Sequence, residues 1–181
     1  MALWGISTSD ESKPKYLNQE DKNNTIAKPE GWVLKKSVGS RNLEEVLVAV
    51  GSNTNLGTAL GAATISAVHF TASSYDQGDS ASVTVVYNEN VDVTNGATLS
   101  VTGSVTGAIT ATAAAQSGVN KAVFSFTVPS QTESLSIGAQ TISGTIVDST
   151  GGAASDKGIA AGDVIDAGGA GDGGTETISV A

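Results

Sequence analysis

The chain has 181 residues, a net charge of −9, no Cys and a single His. Its length fits one domain of ordinary size plus surplus residues. The absence of Cys excludes disulfide scaffolds, Cys-ligated metals and thiol nucleophiles. Nearly half of the residues are Gly, Ala, Ser or Thr, so we expect a thin core. Residues 1–50 carry no net charge and residues 51–181 carry all of the −9. The second part therefore has no phosphate-neutralising surface, which argues against a nucleic acid partner.

Residues 1–50 are expected to form an extended N-terminal arm with a short strand at its end. The apolar residues of this polar segment follow neither a helical nor a strand period. The segment contains two large apolar groups, Trp4 and Trp32, and disordered tails are usually poor in such groups. We therefore favour an arm that becomes ordered on a partner or on a neighbouring copy, rather than a disordered tail. The apolar run 43–50 predicts the short strand. The residues expected to bind the partner are Trp4, Tyr16, Leu17, Trp32, Lys35 and Lys36.

The N-terminal sequence has neither the basic region nor the apolar region of a secretory signal, and no 18 apolar residues follow one another. We therefore expect a protein that is made and used without classical secretion and without a membrane partner.

Residues 51–63 (GSNTNLGTALGAA) are small, polar and rich in Gly, which is typical of a linker. From residue 64 to 154 the pattern changes to short segments with turn signals every eight to twelve residues, which indicates an all-β fold and a β-sandwich. The clearest strands are 80–87 and 121–128, where every second residue is apolar. Further strands are predicted near 64–71, 91–93, 98–101, 107–113, 135–137 and 141–147.

Residues 155–181 form a tail rich in Gly and Asp. Within it, residues 176–180 alternate and place Ile178 and Val180 on one face, which predicts a final strand. This strand would join either its own sheet or the edge of a neighbour.

Three stretches of residues 64–154 resemble bacterial and phage Ig-like domains: 82–91 (SVTVVYNENV), 122–128 (AVFSFTV) and 144–152 (GTIVDSTGG). Gly152 stands where the closing turn of those domains usually has Asn. The resemblance implies an Ig-like β-sandwich. Three short pieces, 3–5 (LWG), 13–17 (KPKYL) and 31–34 (GWVL), resemble the start of virion structural proteins of tailed phages that infect marine cyanobacteria. That resemblance implies a virion component displayed on the head or tail, in families with no catalytic residues to carry over.

Side chains that could carry chemistry are few. His69 is expected to be a surface or hydrogen-bonded residue of the first sandwich strand rather than a catalytic or metal-binding one. Asp76, Asp79, Asp148 and Asp156 lie in predicted loops but form no EF-hand pattern, so we expect solvated acids and keep Ca²⁺ as an alternative. We expect no catalytic residue, no cofactor and no metal.

A carbohydrate site usually stacks sugars on aromatic rings, but the sandwich segment has only Tyr75, in a predicted turn, and Tyr87, in the predicted core. We therefore do not favour sugar binding.

The sequence thus predicts a non-enzymatic virion structural protein, assembled in the host cytoplasm and without a nucleic acid or membrane partner. The leading hypothesis is a capsid decoration or cement protein that binds the major capsid protein, or another virion protein, through its arm, as a homo-oligomer such as a trimer. The alternative is a tail, neck or fibre-associated Ig-like adhesion module that binds a host surface. A cellular surface Ig module is a third hypothesis, but it would need an export signal.

Overall fold

The computed structural model describes residue 14 and residues 16–28, 31–38, 41–49, 62–165 and 177–181. Most of these residues lie in β-strands, and the curled sheets are consistent with a β-sandwich, so the predicted all-β class is confirmed. In the described ranges, no helix is long and apolar enough to cross a membrane.

The described residues up to 49 form one short helix and three strands. Asn18 caps the helix by accepting a hydrogen bond from the backbone N–H of Asp21 at 2.7 Å. The strands make an antiparallel sheet in chain order. We call residues 16–49 the N-terminal unit; its elements are α1 (Gln19–Asn24), β1 (Thr25–Lys28), β2 (Gly31–Val38) and β3 (Arg41–Ala49).

This sheet differs from the extended arm expected for residues 1–50. The predicted short strand exists as β3, but β2 pairs with it and β1 pairs with β2, so that Leu34 lies between Thr25 on one side and Glu45 on the other. Ile26, Val33 and Leu34 are all at most 2% exposed. The expectation failed because successive residues of β1 and of the first part of β2 are buried, so these strands show no period of two in the sequence.

The remaining strands form the sandwich. Strand β4 pairs with β6, and the other paired strands follow the order β12-β6-β9-β8-β7-β10-β14-β5, while β11 pairs with β13 alone. Strands β8 and β9 share a single ladder pair, Thr112 with Ser125. The bounds are β4 (Ile65–Phe70), β5 (Ser74–Tyr75), β6 (Ser80–Val93), β7 (Thr98–Gly103), β8 (Gly107–Thr112), β9 (Gln116–Thr127), β10 (Glu133–Ser136), β11 (Gln140–Thr141), β12 (Ile146–Asp148), β13 (Gly158–Ile159) and β14 (Thr177–Val180), with a 3₁₀ turn at Ala161–Asp163.

Strands β6 and β9 supply the centre of the core, as their alternation predicts. The inward residues predicted for them are all buried, and the ring of Phe126 meets that of Phe70 edge to face at 6.4 Å. The structure merges the predicted strands 80–87 and 91–93 into the single strand β6. The inward residues are Ala81, Val83, Val85, Tyr87, Ala122, Phe124, Phe126 and Val128.

The predicted final strand is present as β14, and it joins the chain's own sheet. It pairs antiparallel with β10 and parallel with β5, and it buries Ile178 and Val180.

The outward face of β6 is also covered. Thr84 and Val86 point away from the core, yet they are 7% and 0% exposed. The N-terminal unit lies on this side: β1 packs along β6, the Asn120 side-chain amide donates to the backbone oxygen of Asn23 at 3.3 Å, and the Lys121 ammonium donates to Oδ1 of Asn24 at 2.8 Å. The N-terminal unit is therefore packed on the sandwich.

We expect Ile26→Ala to lower the free energy of unfolding by about 2–5 kcal/mol, because it removes buried methyl groups from the packed N-terminal unit. Far-UV and near-UV circular dichroism in a urea titration should report this loss in one common transition. Leu43→Ala, at a side chain that is 51% exposed on the same sheet, is the matched control and should change stability by less than about 0.5 kcal/mol. A separate early transition for Ile26→Ala would show instead that the unit unfolds independently of the sandwich.

Candidate functional site

A polar cleft of about 690 Å³ lies where the N-terminal unit meets β9. Helix α1, strands β2 and β3, and the middle of β9 each supply part of its wall. The lining contains three lysines and three acids, so its formal charges balance. The lining residues are Glu20, Asp21, Asn24, Lys35, Lys36, Ser37, Asn42, Leu43, Glu44, Asn120 and Lys121.

The lysines of the cleft are held in different ways. Lys121 is tied to Asn24, and burial lowers its pKa against the opposing effect of Glu20. Lys35 is half-buried and forms no hydrogen bond within the described part of the chain. Burial lowers its pKa most, the neighbouring Lys28 lowers it further, and Glu44 raises it. Lys36 is exposed. Lys35 thus has unused donors at the wall of the cleft.

Two ion pairs fix the outer part of this wall. Lys28 and Glu44 approach to 2.6 Å, and the hydrogen bond from Lys28 lowers the pKa of that carboxyl. Lys36 and Glu45 approach to 3.6 Å on the exposed side of the sheet. The first pair joins β3 to β1 and the second joins β3 to β2, so the sheet itself places the charged rim.

The structure separates the six residues predicted to bind a partner. Trp4 lies outside the described residues. Tyr16 is 72% exposed and Leu17 is half-buried, whereas Lys35 and Lys36 line the cleft together.

Trp32 corrects the prediction of a partner anchor. Its side chain is 2% exposed and packs with Ala27 and Val48 inside the N-terminal unit, so a partner cannot reach it in this structure. The physical reason is that β2 is covered on both sides, and a large apolar ring is most stable buried within the same chain.

Large apolar side chains that remain exposed are concentrated in the N-terminal unit. Among the described residues there are five of them, and three belong to this unit although it contains a minority of the residues. Leu43 lines the cleft opposite Lys36 in the β2–β3 register. Sequence reasoning missed Leu43 because it was assigned only to a strand. The five are Tyr16, Leu43, Val46, Val105 and Val123.

The other candidate residues show little catalytic potential. His69 is 8% exposed, its Nδ1–H donates to the backbone oxygen of Phe70 at 2.9 Å, and burial lowers its pKa. It is thus a hydrogen-bonded strand residue, as expected. Within the ranges that the structure describes, no three side chains of His, Cys, Asp or Glu form a group able to hold a metal ion.

Two buried acids form a feature that the sequence did not reveal. Asp148 was expected to be a solvated loop acid, but it ends β12 and is 1% exposed. Glu89 of β6 is also 1% exposed, and burial, then the charge of Asp148, raise its pKa to about 8. No spacing rule marks Glu89 in the sequence.

The two carboxyl groups differ in their partners. The oxygens of Asp148 accept the backbone N–H groups of Thr150 and Gly151, each at 2.8 Å. Neither oxygen of Glu89 has a hydrogen-bond partner among the described residues. A buried carboxyl without donors favours its neutral form.

The comparisons with known proteins add no relative: no protein-family model, no curated protein and no solved structure matches the chain.

We expect the buried Glu89 to make stability depend on pH. Because its pKa is higher in the folded chain, the folded state holds the proton more tightly, so its stability is full below about pH 4.5 and falls as pH rises towards about 8. Glu89→Gln, a neutral mimic, should lack this fall. The unfolding free energies of the wild type and of Glu89→Gln should differ little near pH 5. Their difference should then grow by about 1.4 kcal/mol per pH unit as the pH rises towards 8.

Urea unfolding of both proteins from pH 5 to 8 in metal-free buffer measures this difference. The contributions of the other titrating groups to stability cancel, because both proteins contain these groups. Parallel curves across that range would contradict a neutral buried Glu89.

Proposed function

We propose that this chain is a non-enzymatic structural protein of a phage virion, held on the outer surface of the particle by its N-terminal unit. The observation that supports this proposal most is the surface of that unit, where exposed Leu43 adjoins Lys36 and the unpaired Lys35 at the rim of a polar cleft. Such a combination of an apolar side chain with charged neighbours is typical of protein–protein contacts. In this proposal the partner is the major capsid protein or another virion protein.

The β-sandwich is interpreted as an Ig-like domain that projects from the shell. The segments that resemble Ig-like domains fall on β6, β9 and β12 with its following turn. In that turn Asp148 binds the N–H groups of Thr150 and Gly151, which gives a physical role to an acid at this point of the motif. Symmetric placement on a shell favours a trimer or another lattice-matched oligomer.

The attachment surface of this proposal is a folded unit rather than an arm that orders on docking. A preorganised surface loses less conformational entropy on binding than an extended chain. Because Trp32 is buried, the anchors are instead Leu43, Lys35 and Lys36, with Tyr16 nearby in sequence.

We expect Leu43→Asp to weaken binding of the full-length chain to purified capsid shells at least tenfold in co-sedimentation, since a charge replaces an apolar contact at the centre of the surface. Val105→Asp is the matched control, because Val105 is 66% exposed on the far sandwich, and it should bind as the wild type does. Circular dichroism checks that both variants are folded. Loss of binding with Val105→Asp alone would place the contact on the sandwich.

Copy number separates this proposal from a tail, neck or fibre adhesion module. A shell decoration protein is expected at hundreds of copies per particle, and a tail or neck component at about six to a few dozen, because of symmetry closure. A stained gel of purified virions measures this. A low count would overturn the decoration role and favour the adhesion module.

A further inference from the structure

The end of the β6–β12 strand pair brings two buried carboxyl groups to one side of the sheet. Asp148 is directly opposite Val91, and Glu89 is two residues from Val91 on the same face of β6. Diagonal neighbours of this kind have side chains within reach of each other. Both residues are 1% exposed, so the pair lies inside the protein rather than on a solvated loop.

The backbone is irregular at this point. On β6 the ladder to β9 is interrupted between Val86 and Val91, whose partners on β9 are Lys121 and Val119, only two residues apart. Glu89 and Asn90 lie within the interrupted stretch. Such bulges in a strand change the direction in which its side chains point, and they are often found near functional sites.

Buried oxygen atoms without partners occur in the same stretch. Both carboxyl oxygens of Glu89 and the side-chain oxygen of Asn90 are buried without a hydrogen-bond partner among the described residues. A buried polar atom left without a partner costs free energy, so these oxygens need a partner that the described residues do not supply. Asp148 also keeps lone pairs, because each of its oxygens accepts a single backbone N–H.

A shared proton does not account for this arrangement. Two carboxyl groups that share a proton lie within hydrogen-bond distance, about 2.5–2.7 Å between oxygens. Glu89 makes no such contact with Asp148. A larger gap between two carboxylates is what a cation fills, since each oxygen then contacts the ion at about 2.3–2.6 Å.

We propose that Glu89 and Asp148 hold a Ca²⁺ ion at this end of the sandwich. Two carboxylates neutralise the ion's charge and offer the oxygen ligands that Ca²⁺ takes. Backbone oxygens and water complete its shell. Ca²⁺ fits better than Mg²⁺ because the turn holds Asp148 in place, whereas Mg²⁺ demands near-ideal octahedral geometry. The site lies in the sandwich, so it stands or falls separately from the proposed attachment surface.

The test uses the chelator-treated full-length chain at neutral pH. Ca²⁺ at about 10⁻³ M should raise the melting temperature by several degrees and give heat in calorimetry, as a ligand of the folded state does. Glu89→Gln should weaken Ca²⁺ binding at least tenfold. Asp79→Asn, which removes an exposed loop acid, is the matched control and should respond as the wild type does.

A second measurement does not depend on stability. Tyr87 lies on the same face of β6, two residues from Glu89, and should sensitise luminescence of Tb³⁺ bound in place of Ca²⁺. Ca²⁺ should displace that signal, and Mg²⁺ at the same concentration should displace much less of it. The proposal is overturned if wild type shows no Ca²⁺-dependent melting shift and no displaceable Tb³⁺ signal, or if Glu89→Gln retains both.

Discussion

Burial of β6 on both of its faces is the constraint on which the rest of the structure depends. Its inner face, with Val83 and Val85, fills the core, while its outer face buries Thr84 and Val86. The strand also has ladder partners β4, β9 and β12. Val86 packs with Ala67 and Ile165 on the outer face, and the N-terminal unit joins the sandwich beside them through β1–β6 packing and the hydrogen bonds of Asn120 and Lys121. Any surface that the unit presents to a partner is therefore backed by the sandwich.

The degree to which the fold could be predicted depends on how many faces of a strand are covered. In β9, Phe124 and Phe126 alternate with exposed residues because one face of the strand meets solvent, so the period of two is visible in the sequence. In β2, Trp32, Val33 and Leu34 are all buried in succession. A strand covered on both sides shows an apolar run without a period, and its partners lie elsewhere in the chain. Of the three strands of the N-terminal unit, pattern reasoning therefore found only β3.

The candidate site was predictable only in part for a similar reason. Lys35 and Lys36 were recognisable as a basic pair, but their proximity to Asn120 and Lys121 of β9 arises from the docking of two distant segments. Leu43 became relevant only when its exposure was known. Composition thus indicated a region, and tertiary packing selected the side chains.

The buried acids show how much the surroundings of one side-chain type can differ. Glu133 accepts the backbone N–H groups of Val105 and Thr106 at 2.8 and 3.0 Å, and hydrogen bonds, led by that from the Thr106 hydroxyl, lower its pKa. Glu89 is also buried but has no donor among the described residues, and its pKa is raised. The donors to Glu133 come from a turn nearly thirty residues away. Ionisation of a buried acid is therefore decided by the chain that closes around it, which a sequence window does not contain.

The uneven charge distribution bears on how such a protein would sit on a particle. Residues 1–50 are neutral overall, and the walls of the cleft carry three lysines against three acids, whereas residues 51–181 carry −9. Acidic sandwiches repel one another at short range, and neutral N-terminal units do not. In the proposed attachment to a virion, this difference favours the orientation in which the N-terminal unit faces the particle and the sandwiches point outwards. Electrostatics would then set the orientation of attachment, while contacts such as Leu43 would set its strength.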